Sequence, residues 1–136
     1  MRTTDEVQTA LIEYLKAQAS LTVLLASANE IKEPEWQGAD FVYPAVRVEN
    51  TIHPNKMYCA PDDVDITVYC LSEKKSSLQC SRLASAVAQL LHNRSGLAGS
   101  NGVRFVFLRV VEIPYPAQQE GQSIWISAVK IVTQVI

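Results

Sequence analysis

At 136 residues, with 48% apolar and 19% charged side chains, the chain has the length of one ordinary domain and the apolar content of a real core, which excludes a disordered polymer. Its 12 basic and 14 acidic residues are spread along the chain for a net charge of -2, without the basic stripe that non-specific nucleic-acid binding requires. The three cysteines (Cys59, Cys70 and Cys80) are odd in number and form no CxxC pair, which argues against a disulfide framework.

Residues Met1 to Glu6 run straight into an amphipathic pattern with no apolar signal-peptide core. The longest apolar run, Val129 to Ile136, is too short and too interrupted to span a bilayer. The expectation is a protein that uses no membrane and stays where it is made. Thr3 and Glu6 have the spacing of a capping box, and Val7, Leu11, Tyr14 and Leu15 then recur on one face of a first helix. Ser20 is placed to cap a short second turn through Leu21, Leu24 and Leu25. A short strand around Ile31 precedes an irregular loop with Pro34, Trp36 and Gly38.

Ala45 to Glu49 alternates as a strand after Pro44, and the connection from Asn50 to Asp63, with Pro54 and Pro61, reads as a projecting loop. Val64 to Leu71 is the clearest strand, placing Val64, Ile66, Val68 and Cys70 on one face. Ser76 to His92 is the clearest helix: Ser76 and Gln79 have capping-box spacing, and Cys80, Leu83, Ala84, Val87, Leu90 and Leu91 form its apolar stripe. His92 falls in its last turn, where a positive charge suits the helix dipole. Ser95 to Gly102 then reads as a loop, followed by two long strands, Val103 to Ile113 and Ser123 to Val135, joined by the linker Pro114 to Gly121.

This order gives an α+β fold: a mostly antiparallel sheet of four to five strands with two main helices packed on one face. Strict alternation puts Val103, Phe105, Phe107 and Val111 on one side of the penultimate strand and Val106, Leu108 and Val110 on the other. Strands apolar on both faces need cover on both. Either another subunit supplies the second cover, or the sheet curls on itself.

No catalytic, cofactor-binding or metal-ligating set is legible. The glycines from Gly96 to Gly102 follow a helix and precede a strand, the reverse of a phosphate loop, and no lysine accompanies them. Asp62, Asp63 and Asp65 lack calcium-loop spacing and read as a solvated loop end, with Asp65 pointing away from Asp63. His53 and Cys59 have no second ligand pair to make a zinc site with them. Cys70 and Cys80 fall on core faces, whereas Cys59 lies in a loop and is the one candidate for reactivity. Trp36, Phe41 and Tyr43 cluster before the first good strand.

Nearly the whole chain resembles the tail-terminator and tail-completion proteins of long-tailed phages, a family that includes head-to-tail joining proteins. The resemblance is carried by the helix Val7 to Leu15, by Ala19 to Leu25, by Tyr43-Pro44-Ala45-Val46-Arg47-Val48, and by Val64 to Cys70 running into the long helix and two final strands. The long connection from Asn50 to Asp63 departs from the pattern. The resemblance implies a structural, non-enzymatic subunit of the virion, assembled in the host cytoplasm. Its partners would be copies of itself in a ring, usually hexameric, the tail tube protein below, and the head or neck connector above, with DNA only as passing cargo. From the residues, Arg104, Val106, Leu108, Val110 and Glu112 form the candidate subunit interface, an apolar centre between charged ends, with Arg104 and Glu112 placed to pair across subunits. Met57, Tyr58 and Tyr115 are the candidate contacts of two projecting loops with tail or neck. The alternatives are a stand-alone small-molecule-binding or enzymatic α+β domain, and a different neck or minor capsid subunit.

Overall fold

Helix α1 (Thr4–Lys16) starts where the sequence predicts, with the Glu6 carboxylate folding back to accept the Thr3 amide at 3.4 Å and the Thr3 hydroxyl at 2.9 Å. Its face of Val7, Ala10, Leu11 and Leu15 is buried. The short helix α2 (Ala19–Thr22) follows; Ser20 lies inside it and Gln18, not Ser20, is its flanking residue. The computed structural model describes residues 2–33, 43–55, 57, 60–73, 77–113, 116–118 and 124–136. The predicted positions Trp36, Phe41, Tyr58, Cys59, Ser76 and Tyr115 lie outside these.

A 3-10 turn (Ala28–Glu30) leads into β1 (Ile31–Lys32), the short strand expected around Ile31. After a cis Tyr43–Pro44 bond comes β2 (Ala45–His53), then β3 (Asp62–Ser72), helix α3 (Leu78–Leu91), β4 (Arg94–Ala98), β5 (Arg104–Glu112), β6 (Ala117–Gln118) and β7 (Trp125–Val135). These strands make one sheet in the order β1-β2-β3-β7-β5-β4, with β6 paired to β7. The sheet is mixed, because β1 runs parallel to β2 while every other pair is antiparallel.

The sheet is mostly antiparallel as expected, but the four to five strands expected become seven among the described residues, and the one parallel pair makes it mixed. The reason is local. β1 and β6 hold two residues each, too few for any periodicity. β4 occupies part of what reads as a glycine loop, and Gly96 tolerates its positive φ of 68° there because it has no Cβ. The loop proper shrinks to the turn after β4, where the Gly99 amide meets the Val103 carbonyl at 2.8 Å. Likewise β2 runs on to His53 and β3 begins at Asp62, so the connection predicted to start at Asn50 is shorter, and β6 takes up part of the predicted linker.

The core is a single cluster. α1 and α3 bring Val7, Leu11, Leu15, Leu83, Val87 and Leu91 onto the inner face of the sheet, against Val46, Val48, Val64, Ile66, Val68, Val129 and Ile131. The β4–β5 hairpin is tied to α1 by Ser100 on Glu13 at 2.6 Å and Asn101 on the Glu6 carbonyl at 2.9 Å. Close approach is enforced at Gly99, where a Cβ would come within 2.7 Å of the Ala10 Cβ. No described helix covers the opposite, outer face along β3 and β7, whose side chains are half-buried or exposed.

Candidate assembly surface

The surface is built by the local irregularity of β5. Its pairing with β7 slips between Phe105 and Phe107 and again between Val110 and Glu112. A bulge inserts one extra residue, so the alternation of faces restarts on the other side of it. Phe105 opposite Val135 therefore points inward, while Phe107 opposite Gln134 points outward. Leu108 opposite Thr133 returns to the core. The first bulge is held by the Thr133 hydroxyl, which donates to the Phe107 carbonyl.

This overturns the face assignment made from strict alternation. Leu108 is 1% exposed and so covered by its own chain, while Val110 is half-buried, packed against the same core and lining the cleft beside α3. Phe107, expected beside Phe105 under the helices, is 38% exposed. Arg104, Val106 and Glu112 are exposed as the candidate surface requires. Glu112 already has a partner within the chain, Lys130 at 3.5 Å, rather than standing ready for Arg104 of another copy. Nothing in the sequence marks the two bulges, because neither falls on a glycine.

The result is a strand whose exposed apolar groups are concentrated. Eight large apolar side chains are exposed among the described residues, and Val106, Phe107, Val111 and Ile113 are half of them. Val111 and Ile113 flank a cleft of about 540 Å³ closed on its other side by Ala88, Gln89 and His92 at the end of α3. His92 is not in the helix's last turn. It follows the helix in extended conformation, and its Nδ1 accepts the Val110 amide at 3.1 Å, which fixes β5 beside α3.

The acidic residues are strand residues rather than a loop end. Asp62 is buried and accepts the Asn55 amide at 2.9 Å. Asp63 and Asp65 share the outer face, two positions apart on one strand, which corrects the expectation that they diverge. Asp63 accepts from Gln134 at 2.9 Å, Asp65 holds His53 at 2.9 Å, and Glu49 beside them accepts the Tyr69 hydroxyl at 3.1 Å. That hydrogen bond and the burial of the ring push the Tyr69 phenol above its usual range, burial being the larger cause.

Elsewhere the chemistry is structural. The buried Arg47 guanidinium donates to the Glu30 carbonyl at 2.6 Å and the Val46 carbonyl at 2.9 Å. Burial pulls its pKa down, opposed by the charges of Glu30 and Glu33. Cys70 and Cys80 are buried, with the Cys80 thiol donating to the Cys70 carbonyl at 3.2 Å, and burial pushes Cys80 up to about 11. Among the described residues no group of three or more His, Cys, Asp or Glu is disposed to hold a metal. Met57, in the connection between β2 and β3, is 73% exposed.

No family model matches the chain, and no curated protein matches it by sequence. Among solved structures, it is similar in fold to a chain of a structure described as the virion of a native gene transfer agent particle. The superposition has a TM-score of 0.78 at 18% identity and covers 95% of this chain and 93% of that one.

Proposed function

We propose that the chain is a structural, non-enzymatic subunit of a phage-like virion, and within it a tail-terminator or tail-completion protein. Copies form a ring, hexameric in the usual arrangement of such proteins, that caps the tail tube and joins it to the head or neck connector while DNA passes through. The observation that carries this reading is the likeness in fold, over nearly the full length of both chains, to a component of a virion particle. At that identity the likeness speaks for fold, and the surface adds an independent argument. Exposed apolar groups gathered on one strand favour a protein partner, and Val106, Phe107, Val111 and Ile113 are gathered so on β5 and just beyond it.

Ring formation asks for surfaces of two kinds, side to side between copies and axial towards tube and neck. β5 suits the first, and the exposed Met57 in the connection between β2 and β3 suits the second. Inactivating the gene in the strain that makes the particle tests the reading. The expected result is heads and tails released unjoined, with joining restored when purified protein is added to the extract. Normal joined particles without the protein would refute it.

A further inference from the structure

The chain passes from α3 to β4 through two residues. His92 is extended, with φ -72° and ψ 131°, and Asn93 takes a positive φ of 56°, a left-handed conformation that asparagine adopts more readily than most residues. This turn delivers Arg94 opposite Leu108, so the next register position of the antiparallel pair sets His92 opposite Val110. β4 itself begins at Arg94 and does not reach that position. The imidazole takes the place of the missing main-chain partner, its Nδ1 accepting the Val110 amide at 3.1 Å.

Unpaired main-chain groups on a strand edge invite pairing with another chain. His92 caps β5 at the point where β4 ends, and unlike a carbonyl this cap can be switched off. A main-chain N–H only donates, so Nδ1 must offer a lone pair, and the proton of the neutral ring sits on Nε2. A second proton takes up that lone pair and sets two N–H groups against each other.

The ionisable groups on the elements around the ring have other engagements. The Arg94 Nε of β4 and the Tyr14 hydroxyl of α1 both donate to the Leu90 carbonyl, at 3.2 Å each. Glu112, which lines the same cleft as His92, is paired with Lys130 of β7 at 3.5 Å. Arg109, beside Val110 on β5, is exposed, and the last turn of α3, Ala88 to Leu91, holds no charged residue.

We propose that His92 is a pH-sensitive cap on the sheet: the neutral ring ties the end of α3 to β5 at Val110 and closes the strand edge there, and the protonated ring releases it. The two elements so tied are the walls of the cleft that Val111 and Ile113 flank, so the same proton loosens this apolar surface. The inference is independent of the ring reading, because it concerns a contact within one chain.

Hydrogen exchange at the Val110 amide, resolved by fragmentation mass spectrometry and corrected for the intrinsic effect of pH on exchange, tests it with the intact chain. The range is about pH 8 to pH 5, where an imidazole changes charge. Protection in the parent should fall about two- to tenfold towards acid, the worth of one hydrogen bond. In His92→Gln and His92→Ala it should not change with pH, and in His92→Ala it should be below the parent's at neutral pH. His92 is exposed, so both variants should melt as the parent does. Parent protection that ignores pH, variants that keep the parent's pH dependence, or a His92→Ala amide as protected as the parent's would each overturn the cap. Nitrogen NMR of the parent's ring needs no variant: a bare Nδ1 and a protonated Nε2 are expected at neutral pH, and the opposite tautomer overturns the proposal.

Discussion

β3 and β5 are neighbours of the same strand, β7, yet they follow different rules. β3 alternates without a fault over its full length: Val64, Ile66, Val68 and Cys70 are buried, and the residues between them face outward. β5 keeps that rule for only a few residues at a time. Two bulges send Phe105, Leu108 and Val110 inward and leave Val106, Phe107 and Val111 exposed. An unbroken strand can give one face to the core and one to water. A bulged strand can serve the core and still hold large apolar groups outside it, at the cost of a disrupted ladder. β3 therefore serves stability alone, whereas β5 combines a share of the core with exposed apolar groups.

The sharpest way to break this contrast is to charge both kinds of β5 position. Leu108→Asp and Phe105→Asp each place an unpaired ion in the core, with an expected loss of several kcal/mol and no cooperative melt by circular dichroism. Phe107→Asp, at a side chain 38% exposed, should cost much less than either and keep a cooperative melt. If Leu108→Asp melted like the parent, the bulge would be in the wrong place. Gly99→Ala tests the neighbouring hairpin: its Cβ meets Ala10 at 2.7 Å, and overpacking should cost about 1–3 kcal/mol in urea titration. Thr133→Val removes the hydroxyl that donates to the Phe107 carbonyl, with an expected loss of about 1 kcal/mol in the same titration.

The smallest effect expected is at the start of α1. The hydrogen bond from Arg2 is the largest cause holding the Glu6 carboxyl below its usual value, with the Thr3 side chain next. A depressed carboxylate contributes stability above the ordinary glutamate pKa and loses it as pH falls through the lowered value. Melting curves of Glu6→Gln and the parent should accordingly differ at neutral pH and converge in acid. Curves that stay parallel down to the acid limit would remove Glu6 from the account.

Much of the fold was legible in the sequence because long elements repeat their signal. α1, α3, β3 and the final strand each carry several apolar residues at one period, and the structure places them as that period requires. Short elements carry no such redundancy: β1 and β6 have two residues, and β4 has a glycine at its centre. The candidate surface was legible in part. The excess of apolar groups on the penultimate strand pointed to β5, but the division of its residues between core and surface depends on two register shifts that no residue type announces. That is why Leu108 and Phe107 exchange places between expectation and structure. The ionic contacts show the same limit, since Glu112 finds Lys130 across the sheet, a pairing set by register with β7.

On the proposed ring reading, β5 holds its chain together from one side and joins copies from the other. Size-exclusion chromatography with light scattering on the parent and on Phe107→Asp tests it most directly. The parent should elute as a closed ring and the variant as a folded single chain. A parent that elutes as a single chain, or a Phe107→Asp protein that still forms the parent's ring, would contradict it.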